Sequence, residues 1–298
     1  PEFGATPARM SATSAAAAPR EGQRRPSQLC KAPWAEPSPA LPLDHASATL
    51  TDEQVAHWHR EGYAVVNGVL PPELVAAECA EAILTYPDMG PADTSPPPRQ
   101  GANDFPFDMP AKNDASVHPR LLRAVAQLLD TEAIRLSECQ VWCKYGEYYN
   151  ADQPEPKDGQ RPEEVHELGD QGHHLDYGNG TLVVPVVESF REEVAIIMYL
   201  GTLEETGGAT AVLPRSHSAA AREVAQSAIH RGGFGSRSGS PDFYAAEKQV
   251  HGVPGTILFY RFDTFHRGTP VKDRCCRRIH SIVYRREDCP WIQWDVWA

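Results

Sequence analysis

Gly255-Thr256-Ile257-Leu258-Phe259-Tyr260-Arg261-Phe262, followed by Asp263-Thr264-Phe265-His266-Arg267-Gly268-Thr269-Pro270, predicts a strand opened by a glycine that delivers His266 at its far end. Runs of the same kind recur at 181–187, 194–200, 209–213 and 279–284, each short and bounded by turn residues. No helical stretch alternates with them. The chain upstream reads differently. Thr51-Asp52-Glu53-Gln54 has the spacing of a capping box and predicts a helix to about Arg60, ended by Gly62. Tyr63-Ala64-Val65-Val66 predicts a strand, Pro71-Pro72 starts a helix through about Leu84, and 118–129 predicts a helix with Leu121, Leu122, Val125 and Leu128 on one side. The prolines of 87–110 break regular structure, and 141–149 predicts a strand. Helices first and strands afterwards argue against a parallel α/β sheet. They argue for a β-sandwich or jelly roll with helices packed on it.

Working outward from His266, the next chemical signal is Gly172-His173-His174-Leu175-Asp176-Tyr177-Gly178. On extended backbone, residues two apart share a face, so His174 and Asp176 can aim a nitrogen and an oxygen at one ion. His173 points the other way and has no acid two residues on. A His and an Asp at this spacing also arise as an ordinary loop histidine and a solvated aspartate, so the pair gains weight only from a third ligand. His266 supplies one, and Arg277 follows on the strand Arg277-Arg278-Ile279-His280-Ser281-Ile282-Val283-Tyr284. Two imidazoles and one carboxylate leave metal positions open, as in non-haem Fe(II) oxygenases. An arginine nearby suits a carboxylate ligand, because its planar fork donates two parallel hydrogen bonds.

With these residues in place the chain resembles the phytanoyl-CoA dioxygenase family of Fe(II)/2-oxoglutarate-dependent oxygenases. The stretch 51–70 resembles the family's N-terminal entry. Gly207-Gly208-Ala209-Thr210-Ala211-Val212-Leu213-Pro214-Arg215-Ser216-His217 resembles its Gly-Gly…Val-Pro-Gly-Ser-His segment. His266-Arg267-Gly268-Thr269-Pro270 resembles the region of its distal metal histidine. The resemblance covers about 51–287 and implies a mostly β fold with flanking helices, a double-stranded β-helix of the jelly-roll, cupin-like kind, over 49–298. It implies Fe(II) held by His174, Asp176 and His266, and 2-oxoglutarate with its far carboxylate on Arg277. Arg278 faces the other way on a strand and is the weaker choice. Thr269 stands where the family has a small polar residue helping that carboxylate. Gln140 and Lys144 stand where relatives place polar cosubstrate contacts, although a solvent-facing Lys144 reads equally well. Arg215 departs from the family glycine, and Ser216 and His217 read as turn residues.

The implied chemistry is an oxidation coupled to conversion of 2-oxoglutarate into succinate and CO2, with hydroxylation of a small-molecule C–H bond. Asp176 favours hydroxylation, since related halogenases have a small residue in place of the ligating acid. The competing readings are a non-catalytic jelly-roll binding or regulatory module, and a metal-dependent cupin-type enzyme that does not use 2-oxoglutarate and would not need Arg277.

Composition bounds the rest. The 298 residues are 41% apolar and carry a formal net charge of −12, which disfavours a nucleic-acid surface. No apolar run is long enough to predict a membrane span. Seven cysteines, Cys30, Cys79, Cys139, Cys143, Cys275, Cys276 and Cys289, form no Cys-x-x-Cys pair, which fits a reduced intracellular, cytoplasmic protein. Pro1-Glu2-Phe3 reads as a cloning scar before a start near Met10. The rest of 1–48, rich in Ala, Pro and Ser, reads as a tail without packed structure or as an organelle-targeting segment. Substrate choice is expected to rest on loops at 152–170 and 218–250. The second holds Arg222, His230, Arg231, Gly232, Gly233, Gly235 and Arg237, and reads either as a mobile lid for a small-molecule, anionic substrate or as a solvated flexible loop. Trp291, Trp294 and Trp297 read as packing residues or as lining of the substrate mouth.

Overall fold

The computed structural model describes residues 49–88, 101–146, 173–176, 193–217 and 241–288. The expected tail at 1–48, the loop at 152–170, the strand at 181–187, the glycine-rich part of the 218–250 loop and the C-terminal tryptophans lie outside the described residues.

Helix α1 (Asp52–Glu61) is capped at both ends. Thr51 Oγ1 accepts from the Gln54 amide at 3.2 Å, and Gln54 Oε1 accepts from the Thr51 amide at 2.9 Å. Gly62, at φ 84°, donates its N–H to Trp58 and turns the chain into β1 (Tyr63–Val66). A side chain there would meet Thr264 Oγ1 at 2.4 Å, so the left-handed turn and the close approach both require glycine. Helix α2 (Pro72–Thr85) starts on a proline, whose missing N–H costs nothing in the first turn. After it come β2 (Gly101–Asp104), α3 (Pro110–Ser116), α4 (Pro119–Leu129) and the long β3 (Ile134–Tyr145). The second half holds β4 (Glu193–Tyr199), α5 (Leu203–Thr206), β5 (Thr210–Val212), a 3-10 turn at Arg215–His217, α6 (Pro241–Ala246), β6 (Lys248–Val250), β7 (Ile257–Tyr260), β8 (His266–Gly268) and β9 (Cys276–Arg286).

The strands form two antiparallel sheets, a major one in the order β1-β7-β4-β9-β3-β2 and a minor one in the order β6-β5-β8. Strand β4 explains the layering. Every residue of Glu-Val-Ala-Ile-Ile-Met-Tyr is buried, so it reads as a continuous apolar run rather than an alternating one. Val194, Ile196 and Met198 pack with Trp58, Leu121, Val125 and Leu128 of the helical layer. Ala195, Ile197 and Tyr199 pack with Val212 and Val250 of the minor sheet and with Leu258, Tyr260, Ile279 and Val283. The result is a double-stranded β-helix, or jelly roll, with helices on the outer face of its major sheet.

Three expectations need correction. Strand β3 begins at Ile134, upstream of the expected 141, because its first half pairs with the far end of β9 across a bulge at Leu136/Glu138. The polar Arg135 and Glu138 concealed that half, and Arg135 pairs across the strands with Glu287. The proline-rich 87–110 ends in an edge strand, β2, held by backbone pairing to β3, and Pro110 opens α3. The last residues of the 218–250 loop are regular, forming α6 and β6.

The helix-covered face has its own ionisable cluster. Glu78 and His280 are both fully buried, with Glu78 Oε1 2.5 Å from His280 Nδ1. His280 Nε2 lies 3.2 Å from Cys139 Sγ and 3.3 Å from Ser116 Oγ. Burial opposes a charge on His280, but Glu78 outweighs it and pulls the imidazole up to about 9.

Candidate metal centre

The inner face of the jelly roll brings His174, Asp176 and His266 together. An isolated antiparallel bridge sets His174 against His266 at the start of β8. Each amide donates to the other residue's carbonyl, at 2.9 Å for the His174 N–H and 3.1 Å for the His266 N–H. Directly opposed residues share a face, so the two rings meet with centroids 4.4 Å apart. Asp176, two residues on, faces the same side, with Oδ1 3.8 Å from His174 Nε2 and 3.4 Å from His266 Nε2. One donor atom from each residue lies within 4.8 Å of the others. Donors about 2.1 Å from one ion at right angles sit about 3 Å apart, so small side-chain adjustments close these three around a metal. The His266 side chain is buried, at 7% exposure, while Asp176 is at 27%, so the cup opens on the acid's side.

The surroundings orient these groups. His266 Nδ1 lies 3.1 Å from the Thr264 carbonyl, which makes Nδ1 the protonated nitrogen and leaves the Nε2 lone pair facing the cup. The Tyr260 hydroxyl donates to Asp176 Oδ2 at 3.0 Å, leaving Oδ1 for the imidazoles. Burial pushes the Asp176 carboxyl up, but His266, His174 and Tyr260 together hold it below the usual carboxylate range. Tyr260 was absent from the sequence reading, where it counted as one more apolar strand residue. The available signal was that a buried tyrosine hydroxyl on the inward phase must find a partner.

Arg277, on β9 of the major sheet, faces the interior of the jelly roll in register with Lys144, and Arg278 faces the helices. Arg278 is engaged there, Nε donating to the Tyr86 carbonyl at 2.7 Å and Nη2 to Asp88 at 2.6 Å. Arg277 Nη1 donates to the Gly208 carbonyl at 2.8 Å, and its buried Nε has no partner among the described residues. Gly208, at φ 74°, leaves no room for a side chain, since a Cβ would lie 2.7 Å from Arg277 Cδ. Tyr199 Oη and Thr210 Oγ1 are buried nearby without a well-formed hydrogen bond among the described residues, although the two residues are close enough to influence each other. Burial lowers the Arg277 pKa, with Tyr199 opposing.

The other candidates are placed less directly. The Thr269 hydroxyl donates to the Ala209 carbonyl at 2.9 Å, beside the peptide that Arg277 binds. Gln140 shares the Lys144 face of β3, but its amide donates to Asp104 at 2.8 Å and accepts from Trp142 at 2.7 Å. Arg215 pairs with Asp263, which also takes a fork from Arg261 at 2.8 and 3.0 Å. The non-glycine residue in that turn therefore ties it to the segment leading into His266.

Behind the ligands is a contact that the sequence did not suggest. Glu247 Oε2 accepts from Arg267 Nε and Oε1 from Arg267 Nη2, both at 2.7 Å. Glu247 Oε2 also lies 2.9 Å from His173 Nε2, a close approach rather than an aligned hydrogen bond.

A jelly roll with two imidazoles and a carboxylate converging inside it defines the class of cupin-fold proteins with a 2-His-1-carboxylate metal site. Within that class the chain belongs to the phytanoyl-CoA dioxygenase (PhyH) family, whose model matches residues 58–279. No curated protein matches the chain. Solved structures share the fold at low identity. The non-heme alpha ketoglutarate dependent epimerase SnoN from nogalamycin biosynthesis is 19% identical over 78% of this chain and 82% of its own, with a TM-score of 0.53. EctD from S. alaskensis with bound Fe is 15% identical over 81% of this chain and 78% of its own, TM-score 0.52. HygX from Streptomyces hygroscopicus with nickel and 2-oxoglutarate bound is 18% identical over 80% of this chain and 88% of its own, TM-score 0.52. Among the described residues no helix is long and apolar enough to cross a membrane.

Proposed function

We propose that this protein is an Fe(II)- and 2-oxoglutarate-dependent oxygenase that hydroxylates a C–H bond of a small molecule. The observation that carries the reading is the interior of the jelly roll, which holds the His174, Asp176, His266 cup and, on the major sheet, an arginine whose buried Nε has no partner among the described residues. The residues fit both groups. The neutral Nε2 of His266, the His174 imidazole and Asp176 Oδ1 form a donor set for Fe(II). Arg277 would take the far carboxylate of 2-oxoglutarate, with Tyr199 and Thr210 as adjacent hydroxyl donors and Thr269 shaping the Ala209 peptide beside it. Lys144, in register with Arg277, would add positive charge on the same face, and Gln140 lies further along β3. Iron and 2-oxoglutarate, when bound, supply the oxidising equivalents from dioxygen, with succinate and CO2 released.

The protein supplies the rest. The antiparallel bridge fixes the angle between the two imidazoles. His266 and His174, with a smaller contribution from Tyr260, hold Asp176 ionised, and the Tyr260 hydroxyl turns Oδ1 toward the cup. Gly208 leaves room for the Arg277 side chain and its carbonyl anchors Nη1, so the guanidinium would orient a bound cosubstrate from its far carboxylate. The apolar wall of Ile197, Leu258 and Ile279 lowers the local dielectric and strengthens these charge contacts.

Iron loading followed by succinate assay and mass spectrometry of metabolite extracts tests the reading. Succinate release that requires 2-oxoglutarate, with a product heavier by one oxygen, is the expected result. A product of unchanged mass points to epimerisation, the reaction named for SnoN, and a loss of two hydrogens points to ring closure or desaturation. Metal binding without 2-oxoglutarate binding favours the cupin-type alternative.

A further inference from the structure

We infer that Glu247 is a positioning residue for the metal ligands: from the opposite face of the ligand strands it ties the residue before His174 to the residue after His266. The inference rests on the metal-binding role proposed for those histidines. The bridge between them puts the histidine side chains on the inner face and His173 and Arg267 on the outer one. There Glu247 meets both, gripping Arg267 with two oxygens at 2.7 Å and approaching His173 Nε2 at 2.9 Å. Glu247 and Arg267 side chains are each only 8% exposed, so the pair is desolvated and its geometry is fixed by two parallel charge-assisted bonds.

The packing around it is directional. Tyr244, on α6, lies under the Arg267 guanidinium with Cζ 5.0 Å from the ring centroid, and its ring stands 4.7 Å from His173. Phe243 packs on Phe265, one residue before His266, at 5.5 Å between centroids. The short segment from α6 into β6 is thus fastened to both ligand-bearing strands, with Glu247 as its charged centre. Removing the carboxylate frees the two segments to shift relative to each other and takes the bidentate carboxylate away from the buried Arg267 guanidinium.

The test uses the apo full chain and Co(II) alone as probe, reading affinity by calorimetry and donor geometry from the cobalt visible spectrum. Groups that orient metal ligands typically change affinity 10–100-fold, so Glu247→Ala should weaken Co(II) binding by about that factor and shift the cobalt bands. Glu247→Gln keeps the shape but offers one acceptor oxygen, and Arg267→Lys keeps the charge but removes the fork. Each should show a smaller shift in the same direction, and they carry the test if Glu247→Ala does not fold. Wild-type affinity and an unchanged spectrum in the folded variants, with only a lower Tm, would overturn the inference. His174→Ala separates the two readings. If it abolishes cobalt binding while the Glu247 and Arg267 variants match wild type, the metal site stands and the positioning role falls. If it binds cobalt like wild type, the metal site itself is wrong and the inference goes with it.

Discussion

The helix-covered side and the interior of the jelly roll carry similar chemistry with opposite outcomes. On the helix side His280 and Glu78 form a fully buried imidazole–carboxylate pair, and Arg278 is bonded to Tyr86 and Asp88. In the interior His266 and Asp176 form a second such pair, and Arg277 Nε has no partner among the described residues. A histidine beside an acid is therefore not a functional signature in itself. What separates the faces is the geometry of the remainder. His280 is engaged at both nitrogens by protein atoms, whereas His266 is held at Nδ1 and offers Nε2 to a cup shared with His174 and Asp176. One face uses the pair to hold elements together, and the other leaves donors pointing at a common centre.

The contrast breaks most sharply by truncating the cup. His174→Ala, Asp176→Ala and His266→Ala should each abolish metal binding and turnover while the circular dichroism spectrum stays native. A variant that retained full activity would remove that residue from the site. The arginines provide the next test. Arg277→Ala should weaken 2-oxoglutarate binding by about 3 kcal/mol, roughly a hundredfold or more, because a desolvated charge pair loses one partner. Arg278→Ala should leave that binding unchanged and lower stability by about 1–3 kcal/mol, through the stranded Tyr86 carbonyl. The reverse outcome would exchange the roles of the two faces.

The sealed pair should respond to pH where the open one responds to metal. His280 is raised above its ordinary 6.5, so the stability its protonated form contributes is complete below pH 6.5 and is lost as pH rises through about 9. His280→Gln, which leaves Glu78 buried without a cation, should cost about 3–5 kcal/mol at pH 6. The gap in Tm from wild type should then narrow as pH rises through about 9, and a gap independent of pH would contradict the assignment. The smallest expected effect is Tyr260→Phe, which removes the donor to Asp176 Oδ2 and should reduce metal affinity about tenfold with little change in Tm.

Much of this was legible in the sequence because strand phase is a strict rule. The alternation that sends Arg277 one way and Arg278 the other follows from the pleat alone, whereas Asp176 reaches the side of His174 from a 3-10 turn that follows an isolated bridge. The helix α1 caps were likewise local and readable. What stayed hidden depends on distant partners. Tyr260, Tyr199 and Thr210 look like ordinary strand residues until the second sheet closes over them. Glu247 sits in a stretch read as an irregular loop and acquires meaning only when Arg267 and His173 arrive from elsewhere in the chain. Strand β2 has a Gly-Ala-Asn-Asp sequence with no β preference and exists because β3 offers it a free edge.

The reciprocal pair of amide bonds between His174 and His266 has a kinetic consequence. Any fluctuation that exposes those two N–H groups to solvent also separates two side chains of the cup, so on the proposed reading opening and metal release would be one event. A metal bound only in the closed form, at a free concentration 100 times its Kd, should slow deuterium uptake at both amides about a hundredfold. Amides of the helical layer should keep the rate they have without metal. The exchange clock of two backbone protons then reports occupancy directly, without a substrate and without turnover.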